Sequence, residues 1–315
     1  MFIRAGILKP ISKTLFKEFL SSVLILLSLS ITIFSLVYAS PGEELLQEYM
    51  LSLSGNEDLM EEEIPTGLFA AYSGWFIASV SGNFGISSSN GLPVLEQVLE
   101  FTYNTLILTL SALFISIVVT LPIVLINVSQ RFPLIEKLIS KSNQLLSFLP
   151  LFWLAYIFIY ISTTQFDYYP LAMDYDEISI SQFVLPVILL SFGSGVLVEI
   201  THQLSYEIRR VLNEEYILCA RAKGASVFKH LFKEGIAFPL LNLISNRIAY
   251  LFGATIIIEQ IFNWPGVGRM LWQATQDRDI PLLLGAILVS AFVIRVAHFF
   301  SRVIYILINP RASHE

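Results

Sequence analysis

Six long apolar runs, at residues 19–39, 102–126, 145–162, 183–200, 240–262 and 281–308, restrict this chain more than any other feature. An α-helix rises about 1.5 Å per residue, so roughly 20 apolar residues cross a hydrocarbon core about 30 Å thick. Inside lipid the backbone has to satisfy its own polar groups. That leaves helices or closed barrels, and unbroken runs without a period of two are helical. Composition agrees: 55% of residues are hydrophobic, 14% are charged, and the mean hydropathy is +0.69, outside the range of soluble domains. The expected fold class is all-α, a polytopic membrane protein with six transmembrane helices.

The loops set the orientation, because Lys and Arg are retained on the cytoplasmic side. Residues 1–19 hold Arg4, Lys9, Lys13 and Lys17, and residues 127–144 hold Arg131, Lys137 and Lys141. Residues 201–238 hold Arg209, Arg210, Arg221, Lys223, Lys229 and Lys233. Between these, residues 40–100 carry ten acids and no Lys or Arg, and residues 163–181 carry Asp167, Asp174, Asp176 and Glu177 with no base. The alternation softens only at 263–280, where Arg269 and Arg278 accompany Asp277 and Asp279. Both termini and the 201–238 loop are therefore expected inside. The first run exceeds the 7–15 residues of a signal-peptide core and reads as a retained helix, although Val37-Tyr38-Ala39 resembles a cleavage site. Residues 67–80 are apolar but too short to span, and read as an external helix. Residues 42–64 read equally as an ordered segment or an acidic linker.

Local punctuation adds detail. Pro122, Pro150, Gly193 and Gly195 lie in or beside spans and read as bending and packing features, since neighbouring helices can satisfy the freed backbone groups. Pro186 reads as a first-turn proline of the fourth span. The single cysteine, Cys219, has no disulfide partner and no adjacent ligands for a metal, and reads as small helical filler.

Within the basic 201–238 loop lies a charged amphipathic island, residues 211–238. Glu214 and Glu215 open a helical run that Arg221 and Lys223 close, a polarity that suits the helix dipole. Gly224 then supplies a turn. A second short helix is expected, with Val227, Leu231 and Phe232 on one face and Lys229, His230 and Lys233 on another, ahead of Pro239 at the start of the next span. Two short helices joined at a glycine form a surface suited to being gripped from outside the membrane.

The run Glu215-Tyr216-Ile217-Leu218-Cys219-Ala220-Arg221-Ala222-Lys223-Gly224, followed by a proline-led span, then Glu259 and Phe262-Asn263-Trp264-Pro265-Gly266-Val267-Gly268-Arg269, resembles the dipeptide/oligopeptide/nickel permeases of ABC transporters. Asn83-Phe84-Gly85-Ile86-Ser87, Pro93-Val94, Asn104-Thr105, Leu149-Pro150-Leu151-Phe152-Trp153-Leu154 and Asn309-Pro310-Arg311 are similar to further family motifs, in the family's order. The chain departs from the pattern at Pro41-Gly42-Glu43, where the family usually has P-G-D-P, and at Leu218, where the broader coupling motif has Glu. The short external region and the stretch FGISSSNGLPV are most similar to Sap-type permeases, which are linked to uptake of cationic antimicrobial peptides.

The resemblance implies the smaller, type I ABC-importer permease fold in one transmembrane domain, 1–315, with an external segment at 40–100 and a cytoplasmic coupling loop at 201–238. It implies that Glu215, Tyr216, Ala220, Arg221, Ala222, Lys223 and Gly224 couple to an ATPase, and that Glu259, Trp264, Pro265, Gly266, Gly268 and Arg269 form an external motif. The implied partners are a second homologous permease, two cytoplasmic ATPase subunits, an extracytoplasmic solute-binding protein and membrane lipid, with no nucleic acid. The implied location is the bacterial cytoplasmic (inner) membrane. No cofactor or metal is expected on this chain, because ATP and Mg belong to the ATPases; the chain is expected to transport and not to catalyse. Peptides are the expected substrate, with nickel or polyamines as alternatives on the same scaffold.

Residue patterns fit that picture. The phosphate-binding pattern G-x-x-x-x-G-K-[ST] is absent from the sequence, as are H-E-x-x-H and C-x-x-C, so the chain cannot cradle ATP phosphates by itself. An ion-coupled secondary transporter is the rival reading, because ionisable groups within lipid are costly and mark function. The candidates are Arg247, Glu259 and Arg295. Arg247 and Glu259 are twelve residues apart on one expected helix, about 18 Å, too far to pair. Arg247 and Arg295 read as lining a polar path, contacting a neighbouring subunit, or being satisfied by carbonyls at helix contacts.

Overall fold

The computed structural model describes residues 2–41, 43–54, 67–129, 131, 133–171 and 180–308. Among the described residues the regular structure is helical, and the only β pairing is an isolated bridge between Ile86 and Pro93. The helices are α1 (Phe2–Tyr38), α2 (Glu43–Ser54), α3 (Leu68–Val80), α4 (Val94–Ser129), α5 (Pro133–Phe148) and α6 (Leu151–Gln165). There follow α7 (Ile180–Gly193), α8 (Val196–Leu212), α9 (Glu215–Ala222), the single turn α10 (Phe228–His230), a π-helical segment (Leu231–Ala237), α11 (Phe238–Phe262), α12 (Val267–Gln276) and α13 (Ile280–Ile308).

Among the described residues, four helical stretches are long and apolar enough to cross a membrane: Ser12–Tyr38, Val94–Ser129, Leu231–Phe262 and Ile280–Ile308. A fifth is the bent pair Gln182–Gly193 and Val196–Leu212, whose halves meet at 48°. The apolar run expected as the third span is divided. Pro150 lacks the N–H needed to continue the ladder, so residues 145–148 end α5 and the 15-residue α6 begins afresh. The 127–144 loop is largely helical rather than irregular, with Pro133 opening α5. Pro186 sits inside α7 and not in its first turn, because that helix starts at Ile180.

The chain divides into two compact units, one of residues 1–15, 106–264 and 297–315, the other of residues 16–105 and 265–296. In the first, Leu108, Leu154, Leu190, Ile200, Leu204, Ile208, Leu251 and Ile258 belong to one buried cluster. Burying apolar groups away from lipid yields no solvation gain, so close packing and interhelical hydrogen bonds hold such bundles. Both meet at the break between α7 and α8, where Gly195 takes φ +79°, a conformation glycine adopts without strain. The carbonyl of Ser191 there accepts from Ser116 Oγ at 3.2 Å, and that of Ser194 from Tyr250 Oη at 2.9 Å. Ser191 Oγ donates in turn to the Ala112 carbonyl at 3.0 Å. At the far end of α8, Arg209 donates to the Asn127 carbonyl in the last turn of α4 at 2.7 Å, satisfying one of its orphan acceptors.

The second unit is organised by aromatics. Phe34 of α1, Tyr49 of α2, Trp75 of α3 and Leu284 of α13 share a buried cluster, and the Phe34 and Trp75 rings lie 5.0 Å apart. The stretch 67–80 is the expected short apolar helix. Of residues 42–64, Glu43–Ser54 is helical, and 55–66, including Glu61, Glu62 and Glu63, lie outside the described residues. Asp174, Asp176, Glu177 and the Asn309-Pro310-Arg311 ending also lie outside them.

Candidate functional site

The island begins where α8 ends at Asn213. Glu214 enters α9 in extended conformation, Glu215 occupies its first turn and Arg221 its last, the polarity the dipole favours. Gly224 stands just past the helix with φ +68°. Its N–H donates to the Arg221 carbonyl at 3.0 Å and that of Ala225 to the Ala220 carbonyl at 2.9 Å. These are the 5→2 and 6→1 bonds of a left-handed glycine cap, so the Ala220-Arg221-Ala222-Lys223-Gly224 run is a helix stop written in sequence. Cys219 is exposed on α9.

The second arm differs from expectation. In place of a separate short helix, α10 passes through the π-helical segment into α11, where the N–H of Phe238 reaches back to the Lys233 carbonyl. A wider turn here suits Pro239, which cannot donate to an ordinary i−4 partner. Leu231 packs against the apolar cluster, whereas Phe232 does not share its face: it is 54% exposed beside Phe228, 75% exposed, with the two rings stacked 6.3 Å apart. Tyr216 joins the arms, donating to Glu234 at 2.5 Å and meeting the His230 ring edge-on at 5.7 Å. Partial burial, then the hydrogen bond to Glu234, pushes the Tyr216 phenol up to about 12, so it stays a donor throughout the physiological range. Gln203, Glu207, Arg210, Tyr216, Glu234 and Asn242 are among the walls of a polar cleft of about 600 Å³ at the root of the island.

The motif expected on the external side is a second helix stop. Asn263 caps α11 at φ +56°, and its N–H and that of Trp264 both return to the Glu259 carbonyl. Glu259 is wholly buried, and Trp264 packs on Phe183 at 5.6 Å. Pro265, Gly266 and Gly268 are buried and Arg269 is half-buried. Asn104 donates to the Pro265 carbonyl at 2.9 Å, and Thr105 accepts from the Val267 N–H at 2.8 Å. Two motifs distant in sequence thus build the start of α12 together.

Asp279, read from sequence as an ordinary loop charge, is 1% exposed. Its Oδ2 accepts from Ser87 Oγ at 2.5 Å, from Ser89 Oγ at 2.8 Å and from Ser89 N–H at 3.1 Å, while Oδ1 accepts from the Leu282 N–H at 3.0 Å. Burial alone would raise its pKa, but the hydrogen bonds from Ser87, Leu282 and Ser89 outweigh it and hold the carboxyl below its ordinary value.

Among the intramembrane charges, Arg247 does not rely on carbonyls: it forms an ion pair with Glu199 of α8. Glu199 is hidden in sequence within the apolar run 183–200, although its spacing with His202, Gln203 and Tyr206 is helical. Arg295 donates to Ser22 Oγ at 2.8 Å.

Set beside known proteins, residues 129–314 match the family described as binding-protein-dependent transport system inner membrane component. The chain is 26% identical over 309 residues to the oligopeptide transport system permease protein AppB of Bacillus subtilis (strain 168), covering 94% of this chain and 97% of that one. It is 23% identical to the nickel import system permease protein NikB of Staphylococcus aureus (strain bovine RF122 / ET3-1), covering 96% and 92%. It is 25% identical to the "Probable peptide ABC transporter permease protein y4tP" of Sinorhizobium fredii (strain NBRC 101917 / NGR234), covering 95% and 98%. A multi-pass helical protein with these relatives is a transport component that depends on ATPase and substrate-binding partners, and the secondary-transporter reading falls away. The chain belongs to the inner-membrane permeases of binding-protein-dependent ABC importers.

Proposed function

We propose that this chain imports peptides across the bacterial cytoplasmic membrane, as one transmembrane domain (1–315) paired with a homologous permease and driven by two ATPase subunits. The similarity to peptide permeases over nearly the whole chain carries the substrate reading. The island carries the coupling. Its glycine-capped first arm, with Glu215, Tyr216, Ala220, Arg221, Ala222, Lys223 and Gly224, and the exposed Phe228 and Phe232 of its second arm offer an ATPase cleft a rigid surface with an apolar centre. Closure of the ATPases draws the islands together and opens the path outward; hydrolysis resets it. The largely buried motif from Glu259 to Arg269 shapes the outer side on which the solute-binding protein docks, with half-buried Arg269 its most accessible charge. Nickel is the second reading, favoured by the likeness to NikB. Proteoliposomes holding the assembled importer should accumulate labelled trialanine with ATP and binding protein, and not nickel-63; the reverse pattern would replace the peptide reading.

The proposed topology has six spans, both termini and the 201–238 loop in the cytoplasm, and the 40–100 segment outside. In intact cells an impermeant thiol reagent should leave exposed Cys219 unlabelled and label a cysteine placed at Asp277 or Ser81, both exposed. In inverted vesicles the pattern should reverse. Labelling of Cys219 in intact cells would overturn the orientation and the ATPase docking with it.

A further inference from the structure

Helix α8 is the second half of a membrane-length pair, yet one side of it is polar. Val196, Leu197, Ile200, Leu204 and Ile208 are buried on one face. Glu199, His202, Gln203 and Tyr206, at i, i+3, i+4 and i+7, occupy the other, where His202 and Gln203 are exposed and Tyr206 is 65% exposed. Arg247 reaches Glu199 from across, and both lie within the apolar runs 183–200 and 240–262, in the halves nearer the 201–238 loop. Charged groups within spans are costly against lipid and face the bundle interior or a water-filled cavity, so this face is turned to water or to protein. Water is favoured by where the stripe leads: Gln203, Glu207 and Arg210 carry it on into the 600 Å³ polar cleft at the root of the island.

We infer that the polar face of α8 is a wall of the substrate path and that the Glu199–Arg247 pair selects peptides bearing both a free amino group and a free carboxylate. The inference rests on the peptide reading above. The two side chains are 38% and 27% exposed, so each charge is within reach of a passing solute. The Arg247 guanidinium carries five donors in a fork that matches a carboxylate. A peptide whose ammonium meets Glu199 while its carboxylate meets Arg247 exchanges one internal pair for two new ones and leaves no charge alone. A capped peptide parts the pair with nothing to replace it, and unpaired charge in a poorly hydrated site is costly. Tyr250 holds the arrangement, lying 5.6 Å from the Arg247 guanidinium and bonding to the carbonyl at the helix break.

The test uses the full importer in proteoliposomes, with labelling read position by position by mass spectrometry. His202→Cys and Tyr206→Cys should react with a small cationic methanethiosulfonate at least tenfold faster than Leu204→Cys on the buried face or Val118→Cys on α4, and trialanine with ATP should slow them. Uptake of trialanine should exceed that of N-acetyl-trialanine amide in wild type, each with binding protein at saturation. In Glu199→Gln/Arg247→Gln, which strands no charge, the preference should fall to near one. Labelling at 202 and 206 as slow as at 118 would overturn the path. An unchanged preference in the double variant would overturn the selectivity role. A wild-type importer that takes up neither peptide while 202 and 206 label quickly would overturn the peptide reading, and the selectivity with it, while supporting the path.

Discussion

Gly224→Val is expected to leave the permease in the membrane and lower peptide uptake per ATP hydrolysed by tenfold or more. The backbone at 224 lies at φ +68°, and a Cβ built there meets nothing within 4 Å, so the substitution adds no clash and acts through the main chain alone. A non-glycine residue pays about 1–2 kcal/mol in the left-handed region, and a β-branched one more. The relaxed alternative forfeits the two bonds from Gly224 and Ala225 and re-aims the second arm. Asparagine tolerates this region, so Gly224→Asn should keep most of the coupling. Uptake and ATPase activity measured together in proteoliposomes distinguish the cases. A valine variant that couples like wild type would show that the angle between the arms is irrelevant to the ATPases.

Asp279→Ala should destabilise the protein by about 3–5 kcal/mol, the largest effect expected of any single side chain outside the island. Hydrogen bonds to a charged acceptor are worth about 1.5–3 kcal/mol each, and the deletion leaves the buried Ser87 hydroxyl with only Ser89 as a side-chain partner. Asp277→Ala, two residues away and exposed, should stay within about 0.5 kcal/mol. Thermal unfolding in detergent, followed by tryptophan fluorescence, compares them; an Asp279→Ala midpoint equal to that of Asp277→Ala would refute the anchoring role. The pH dependence follows from the depressed pKa. The contribution is complete above the ordinary carboxyl value of 3.8 and is lost as pH falls through the lower folded-state value. The contact between the 87–89 loop and the start of α13 should therefore hold across the neutral and mildly acidic range.

Much of this molecule was legible because lipid imposes simple rules. Run length marked the four membrane-length helices and the bent α7–α8 pair seen among the described residues, and the glycine stop at 224 was readable because its bonds close within six residues of chain. Short-range geometry is encoded where it occurs. The same rules failed where two segments compete for one stretch: residues 145–162 look like one span until Pro150 divides them, and the neighbours Leu231 and Phe232 were expected on one face but end apart, one against the core and one exposed.

Pairings across the fold were beyond the sequence. Asn104 meets Pro265 across 161 residues, Thr105 meets Val267 across 162, and Ser87 meets Asp279 across 192. Nothing local to Asp279 distinguishes it from its exposed neighbour Asp277, because burial and partners are properties of what packs around a residue. Glu199 shows the same limit. Hydropathy averaged over residues 183–200 hides one carboxylate, and only the approach of α11 supplies Arg247 and shows which side of α8 is left polar. The sequence by itself determined a helical membrane permease with a glycine-capped island between two apolar runs. Tertiary structure alone decided which charges are buried anchors and which pair across helices, since a side chain's ionisation and role depend on solvent and partners that the fold brings to it.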